Sequence, residues 1–195
     1  SFAAIRPLIR AGVHLAGGAV CGQVTRNLDY FIVGRFGGLA TLGTYRVAFD
    51  LAMGPMQVIV QVIARSSLPV YSRVAGQLDQ LRRAFGWTVR SLALLVLAPL
   101  VLVFLEGERL FELLAKTPEP HTLFVLRCLC LAALLRAASL PFSQVLVALG
   151  HTRRNLLEAL SSTLMIGLSM TLWVAFATDL AVAERVGIAW LVAYV

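Results

Sequence analysis

Charged residues are scarce in this 195-residue chain: Asp, Glu, Lys and Arg make up 14% of it, whereas soluble domains carry about a quarter. Hydrophobic residues make up 59%, and the mean hydropathy is +0.83. Lysine is almost absent, with one residue against 16 arginines. This composition excludes an ordinary soluble domain and predicts an integral membrane protein.

Signatures of catalysis and metal binding are missing as well. The three histidines are isolated, and the chain contains no His-Glu-x-x-His, Gly-x-Ser-x-Gly or glycine-rich phosphate loop. Cys21, Cys128 and Cys130 lie in apolar stretches, and the last two point to different faces of a helix, so we interpret all three as packing residues. We therefore expect no enzymatic activity, no cofactor and no metal site.

The net charge of +7 would suggest a nucleic-acid-binding protein if the chain were soluble. The arginines, however, cluster ahead of the first apolar stretch and in the short polar segments at 65–90 and 153–154, whereas acidic residues predominate at 106–119. By the positive-inside rule, this alternation predicts that the arginine-rich side is cytoplasmic; only Arg35 and Arg46 oppose it. Topology thus explains the charge, and we expect no nucleic-acid partner.

Apolar stretches long enough to cross about 30 Å of hydrocarbon recur along the chain. We predict an all-α, polytopic transmembrane helical bundle of about six spans, the last of which is incomplete. The predicted spans cover residues 11–33, 42–64, 91–105 with an extension over 85–89, 123–149, 156–177 and 186–195. Gly37 and Gly38 predict a turn between the first two spans, and Gly150 predicts a helix stop.

A polar stretch near residues 69–86 combines arginines with apolar residues at helical spacing. The apolar residues are Val70, Val74, Leu78, Leu81 and Phe85. This pattern is typical of an amphipathic helix, and we predict that the helix lies on the membrane surface.

Short motifs follow one another in a fixed order between residues 27 and 85. They are Asn-x-Asp at 27–29, Ile-Val-Gly-Arg at 32–35, Leu-Gly-x-Tyr at 42–45, Pro55, and Leu-Pro-x-x-Ser-Arg at 68–73; Ala-Leu-Gly at 148–150 then precedes a basic turn. This series resembles the polysaccharide transporter, or O-antigen flippase, family of the multidrug/oligosaccharidyl-lipid/polysaccharide exporter superfamily. The likeness covers the first half of the chain well and the remainder loosely.

The resemblance implies a protein with two helical bundles around a central cavity. Residues 1–195 would then be a single transmembrane bundle, a fragment forming one lobe in the second half of a longer transporter. The implied activity is translocation of lipid-linked oligosaccharides, undecaprenyl-diphosphate-linked repeat units, across the bacterial inner membrane by alternating access, for export of lipopolysaccharide or exopolysaccharide. Implied partners are this substrate, membrane lipids, the missing first bundle, and the polysaccharide polymerase and export machinery.

Two other function classes remain open. One is a multidrug or cation antiporter of the same superfamily, which would favour acidic rather than basic residues in its cavity. The other is a polytopic enzyme of envelope polysaccharide synthesis, which the short loops and isolated histidines disfavour.

Arg136 is the most unusual charge within a predicted span, because it lies near the middle of the fourth. A guanidinium there is costly unless water, an anion or an acidic neighbour accompanies it. Its planar fork suits the phosphate that joins sugar to carrier lipid in the implied substrate. The alternative is a structural ion pair between helices.

Asp29 is a second charge within a span, and Arg26 precedes it by three residues. This spacing predicts a local ion pair, with Asn27 pointing elsewhere. The alternative, which the Asn-x-Asp resemblance favours, is a carboxylate at the cavity that exchanges a coupling proton or sodium ion. With the resemblance, we take Arg136, Asn27 and Arg26 as candidate substrate-binding residues and Asp29 as the candidate for ion coupling.

Two further pairs of opposite charge lie four residues apart on predicted helices. Arg46 precedes Asp50, and Arg154 precedes Glu158. At this spacing both members of a pair face the same side of a helix. We therefore predict two local ion pairs with a structural role.

Overall fold

The computed structural model describes residues 2–114, 120–176 and 181–194. Within these ranges every regular element is a helix: α1 (Phe2–Val74), α2 (Leu78–Leu114), α3 (Pro120–Ala148), α4 (Thr152–Phe176) and α5 (Val182–Tyr194). The helices α1 to α4 are long and apolar enough to cross a membrane. The prediction of an all-α, multi-pass membrane bundle is therefore confirmed.

Helix α1 folds back on itself at Gly38. This glycine has φ 82° and ψ 173°, a conformation that side chains other than glycine rarely adopt. The Tyr45 hydroxyl lies 2.9 Å from an Asp29 carboxylate oxygen 16 residues away, whereas a straight helix would separate the two backbones by about 24 Å. Helix α1 is therefore a hairpin with a first arm (2–37) and a second arm (39–74). This agrees with the predicted turn and brings the helical segments to about six.

The helix stop predicted at Gly150 is also confirmed. Gly150 has φ 77°. Its N–H donates to the Val147 carbonyl at 3.0 Å, and the His151 N–H donates to the Leu146 carbonyl at 2.9 Å. These two bonds form a Schellman motif, which satisfies the last carbonyls of α3 and lets the chain reverse into α4.

The predicted surface helix near residues 69–86 is not one continuous helix. Helix α1 continues to Val74, residues 75–77 form a turn, and α2 begins at Leu78. Val70 and Leu78 are exposed, whereas Tyr71 is fully buried, so the apolar spacing does not mark a single face. The periodicity arises from two helix ends that meet at a turn. The turn contains Gly76, which weakens helix continuation.

The acidic segment after the third span is more helical than expected. The backbone departs from helical geometry at Glu106, with φ −100° and ψ 16°, and α2 then continues to Leu114. An ion pair of 2.8 Å joins Arg109 to Glu106 across this bend. Glu119, which belongs to the same predicted loop, lies outside the described residues.

The core lies where α5 packs between the α1 hairpin and α3. Trp190 of α5 has no exposed surface, and its ring centroid lies 6.2 Å from that of Phe49 in the second arm. About one turn before Trp190 on α5, Gly187 lies next to Val125 and Cys128 of α3. Helix α4 packs against the first arm and leaves a broad apolar face exposed. The short helix α5 thus joins the two sides of the bundle, and the buried polar groups gather around it.

Candidate functional site

Asp29 is a fully buried carboxylate in the first arm of α1. One of its oxygens accepts a hydrogen bond from the Tyr45 hydroxyl at 2.9 Å, and the other accepts one from the Tyr30 backbone N–H at 2.8 Å. The indole of Trp190 also interacts with the Asp29 carboxylate and the Tyr45 hydroxyl. The hairpin at Gly38 brings Asp29 and Tyr45 together because the two residues lie at similar distances on either side of it.

Arg136 of α3 is a charged neighbour of Trp190. Its guanidinium carbon is 5.8 Å from the centroid of the Trp190 ring, within the range of a cation–π interaction. Arg136 is partly exposed, but its Nη1 atom is buried and has no hydrogen-bond partner among the described residues. We call Asp29, Tyr45, Trp190 and Arg136 the Trp190 cluster. It brings a carboxylate and a guanidinium into contact with one indole ring.

The predicted ion pair between Arg26 and Asp29 is wrong. Arg26 Nη2 donates instead to the side-chain oxygen of Gln23 at 2.8 Å. Asp29 faces the bundle interior, where Tyr45 supplies its partner, and so turns away from Arg26. Asn27 points elsewhere, as predicted, and donates to the backbone carbonyl of Gln23 at 2.7 Å.

A second polar region lies on the outer side of the α1 hairpin. In the first arm, Gln23 and Asn27 are exposed, and Arg26 is partly exposed although its Nε atom is buried without a partner among the described residues. The second arm carries Arg46, Asp50, Gln57 and Gln61 at intervals of four, seven and four residues, which places them on one face of the helix. We call these seven residues the α1 polar face.

Arg46 connects the two halves of the α1 polar face. Its guanidinium carbon is 5.9 Å from the ring centroid of Tyr30, which follows Arg26 by one helical turn. Arg46 Nε also lies 3.8 Å from an Asp50 carboxylate oxygen, so the predicted pair is present. Both side chains of this pair are mostly exposed, with exposed fractions of 72% for Arg46 and 66% for Asp50.

The α1 polar face lies among exposed apolar residues of the same helix, such as Val24, Phe31, Val58 and Val62. Exposed polar side chains are unfavourable against lipid, so they are expected to face water or other protein. Amides supply hydrogen-bond donors and acceptors and guanidiniums supply donors, and such groups recognise hydroxyl-rich ligands. The face therefore has the composition of a wall that contacts water or a polar ligand at membrane depth.

The structure divides the four predicted site residues into two groups. Asp29 and Arg136 belong to the Trp190 cluster, while Arg26 and Asn27 belong to the α1 polar face. Sequence reasoning missed the roles of Tyr45 and Trp190. Tyr45 could have been found from its position opposite Asp29 across the Gly37–Gly38 turn. Trp190 gave no such signal, because α5 is far along the chain from both partners.

Other polar contacts lie outside these two regions. The predicted pair between Arg154 and Glu158 does not form: the ion pairs of the described residues do not include it. A histidine–carboxylate contact that was not predicted joins α3 to α5, where His121 Nδ1 lies 2.7 Å from a Glu184 oxygen. In the ranges that the structure describes, no three His, Cys, Asp or Glu residues gather as metal ligands.

Comparison with known proteins gives these features a context. The polysaccharide biosynthesis protein family matches residues 1–114. The chain is 22% identical over 148 residues to the lipopolysaccharide biosynthesis protein WzxC of Escherichia coli strain K12, covering 76% of this chain and 30% of that protein. It is 26% identical over 200 residues to the teichuronic acid biosynthesis protein TuaB of Bacillus subtilis strain 168, covering 94% of this chain and 40% of that protein. No solved structure matches.

The chain therefore spans less than half the length of these two relatives. The family match includes both arms of α1, and with them the α1 polar face, Asp29 and Tyr45. It extends over more than half of the chain and confirms the resemblance drawn from the motifs between residues 27 and 85. The chain belongs to the polysaccharide biosynthesis protein family.

Proposed function

We propose that this chain forms one lobe of a transporter that moves lipid-linked oligosaccharides across the bacterial inner membrane by alternating access. The observation that carries the proposal is the α1 polar face, a row of exposed and partly exposed amide and charged side chains along the two arms of a helix apolar enough to cross a membrane. A sugar chain crossing a membrane needs such hydrogen-bonding groups in place of water. Family membership and the names of the two relatives, both concerned with polysaccharide biosynthesis, support the same substrate class.

In this proposal Arg26 and Asn27 contact the oligosaccharide from the first arm. Both side chains are held through Gln23, by bonds of 2.8 Å and 2.7 Å, so their orientation is set before a substrate arrives. Preorganised donors lose less conformational entropy on binding than free side chains do. The remainder of the longer protein, including its first bundle, would close the cavity on the opposite side.

Arg136 is proposed to hold the diphosphate of the carrier lipid. Its Nη1 atom is buried without an acceptor in the described part of the chain, and the cation–π contact with Trp190 holds the guanidinium in place. An oriented guanidinium with an unused donor suits bidentate contact with a phosphate. This role requires the Trp190 cluster to open toward the cavity in one state of the transport cycle.

Asp29 is proposed to couple transport to a proton or sodium ion. It is a buried carboxylate whose partners, Tyr45 and the Tyr30 backbone, are both neutral hydrogen-bond donors. A buried carboxylate without a paired cation can take up a cation when the site opens. The same carboxylate also favours the second candidate function, a cation or multidrug antiporter.

Complementation with Arg136 variants of the complete protein separates these functions. In a strain lacking the transporter, we expect Arg136→Ala to abolish surface polysaccharide without lowering the amount of protein in the membrane. Arg136→Lys keeps the charge but loses the fork, so it should retain partial export. An antiporter would instead restore resistance to a toxic cation or drug and would leave polysaccharide unchanged.

Arg136 also has a structural alternative that the same strains test. If Arg136→Ala lowers the amount of folded protein, and a second change at Asp29 restores it, the two charges balance each other across Trp190. The phosphate role would then fail. Unchanged export with Arg136→Ala at normal abundance would contradict it as well.

The proposal assigns the protein no enzymatic step. Transfer and polymerisation of the sugars would belong to other proteins of the pathway, including the polysaccharide polymerase and the export machinery. These partners, together with membrane lipids and the oligosaccharide carrier, are expected at the inner membrane.

A further inference from the structure

A basic pocket lies at the end of the bundle where α3 reverses into α4. It has a volume of about 440 Å³ and is lined by Ala11, His14 and residues 150–154. His14 Nδ1 lies 3.2 Å from the Thr152 hydroxyl, and this contact joins the first arm of α1 to the start of α4. The pocket is therefore built from two elements that are far apart in sequence and held in a fixed arrangement.

The lining of this pocket carries positive charge without a counter-charge. Arg153 and Arg154 contribute two guanidiniums, His14 and His151 contribute two imidazoles, and no acidic residue lines the pocket. The structure records no ion pair or side-chain hydrogen bond for either arginine among the described residues, although Glu158 lies one helical turn beyond Arg154. Guanidiniums that lack acidic partners favour an anion as their partner.

The backbone of the pocket is rigid at the point where the arginines begin. The Schellman motif at Gly150 fixes the turn, and the His151 carbonyl accepts the Asn155 N–H at 3.2 Å to open α4. Helix α4, which is long and apolar enough to cross a membrane, begins at Thr152, and Thr152 lines the pocket. The pocket thus lies at the end of a membrane-spanning helix, where lipid headgroups are expected.

We infer that this pocket binds a phosphate group, which Arg153 and Arg154 hold and His14 and His151 contact by hydrogen bonds. The phosphate belongs to a phospholipid headgroup or to a soluble phosphate compound, since both present the same oxygens to the pocket. This site is separate from the Trp190 cluster and does not depend on the proposed transport function.

Binding can be measured with the complete protein in maltoside detergent micelles, which contain no phosphate. In one experiment inorganic phosphate is titrated, and in a second phosphatidylglycerol is added to the micelles. Thermal unfolding is followed by tryptophan fluorescence. A rise in the unfolding temperature with phosphate identifies a soluble ligand, and a rise with phosphatidylglycerol alone identifies a headgroup. No rise with either probe would overturn the inference.

The matched control is a second pair of adjacent arginines, Arg82 and Arg83, which are exposed in the first turns of α2 and line no part of this pocket. We expect the Arg153→Gln/Arg154→Gln variant to bind about tenfold or more weakly, because each charge-assisted hydrogen bond contributes at least that factor. The Arg82→Gln/Arg83→Gln variant should bind like the parent protein. Equal losses in both variants would mean that general surface charge attracts the probe and would overturn the inference.

A third variant covers the case in which the glutamine variant does not fold. Arg153→Lys/Arg154→Lys preserves the charge and replaces each planar fork with an ammonium group. It should bind phosphate more weakly than the parent protein, because it lacks the planar forks. Affinity equal to that of the parent would overturn the assignment of the phosphate to the guanidinium groups of Arg153 and Arg154.

Discussion

Asn27 and Asp29 are two residues apart in the first arm of α1, yet they occupy opposite environments. Asn27 lies on the exposed α1 polar face, whereas Asp29 is fully buried in the Trp190 cluster. Residues two positions apart in a helix are separated by about 200° around its axis, so the two polar residues of one short Asn-x-Asp motif lie on opposite sides of the arm. From this comparison we expect that residues on the outer side can be substituted without unfolding the bundle, whereas residues on the inner side cannot.

The largest expected effect is at Asp29. Asp29→Ala should lower the free energy of unfolding by about 3 kcal/mol, because it leaves a cavity and removes the acceptor of the buried Tyr45 hydroxyl. Asn27→Ala, its matched control, should change stability little and reduce polysaccharide export. The measurement is thermal unfolding of the detergent-solubilised complete protein, together with its abundance in the membrane. Similar losses of stability in both variants would break the comparison.

The next effect concerns the hairpin that holds the two sides of α1 together. Gly38→Ala should destabilise the protein by about 2 kcal/mol, because alanine strongly disfavours the backbone conformation at this position. Gly150→Ala is the control at a second glycine with positive φ, where a helix C-cap is the only feature affected. We expect its thermal shift to be smaller than that of Gly38→Ala. The reverse order would argue against a hairpin closed at Gly38.

A smaller effect is expected where the inner side of the first arm meets α4. The hydroxyls of Thr25 and Thr163 lie 2.9 Å apart, and Thr25 is buried. Thr25→Val preserves the shape of the side chain and removes its hydroxyl, so it should cost about 1 kcal/mol. Thr44→Val provides a control, since this exposed hydroxyl bonds only its own helix. A destabilisation by Thr44→Val as large as that by Thr25→Val would contradict the assignment.

The smallest effect is expected on the outer side, at the ion pair between Arg46 and Asp50. Its two side chains are largely exposed and their charged atoms are 3.8 Å apart. Breaking the pair with Asp50→Asn should change stability by about 0.5 kcal/mol or less. A loss of stability several times larger in the same unfolding assay would mean that this side of α1 is packed against protein rather than exposed to water.

The sequence was sufficient to predict most of the helices of this bundle. Hydropathy predicted the spans, and the special backbone freedom of glycine predicted the reversals at Gly38 and Gly150. The structure does not contain the single continuous helix expected near residues 69–86, because periodicity alone does not reveal a turn between two helix ends. Local spacing identifies residues of one helix that could form a contact, but it does not show which contact forms.

The candidate site was harder to predict for the same reason. Arg26 lies within reach of Asp29 by spacing, yet the hairpin offers Asp29 a partner from the other arm, Tyr45. The sequence singles out Arg136 as a costly charge within a predicted span, but its neighbour Trp190 comes from α5. Contacts between distant helices depend on how the bundle packs, which the pattern of one sequence does not contain.

The central claim, that the outer side of α1 contacts water at membrane depth, can be tested most directly with two adjacent residues. Gln57 belongs to the α1 polar face, whereas Val58 is exposed but lies about 100° away around the same arm. Each is replaced singly by cysteine in the complete protein after Cys21, Cys128 and Cys130 are changed to alanine. A small hydrophilic thiol reagent is then applied to membranes, and the extent of labelling is measured.

We predict that the cysteine at position 57 is labelled and that the cysteine at position 58 is not, because thiols facing lipid do not ionise and react slowly. Both variants must be present in the membrane in equal amounts. Failure to label position 57, or equal labelling at both positions, would contradict a water-lined polar face and the transport function proposed from it.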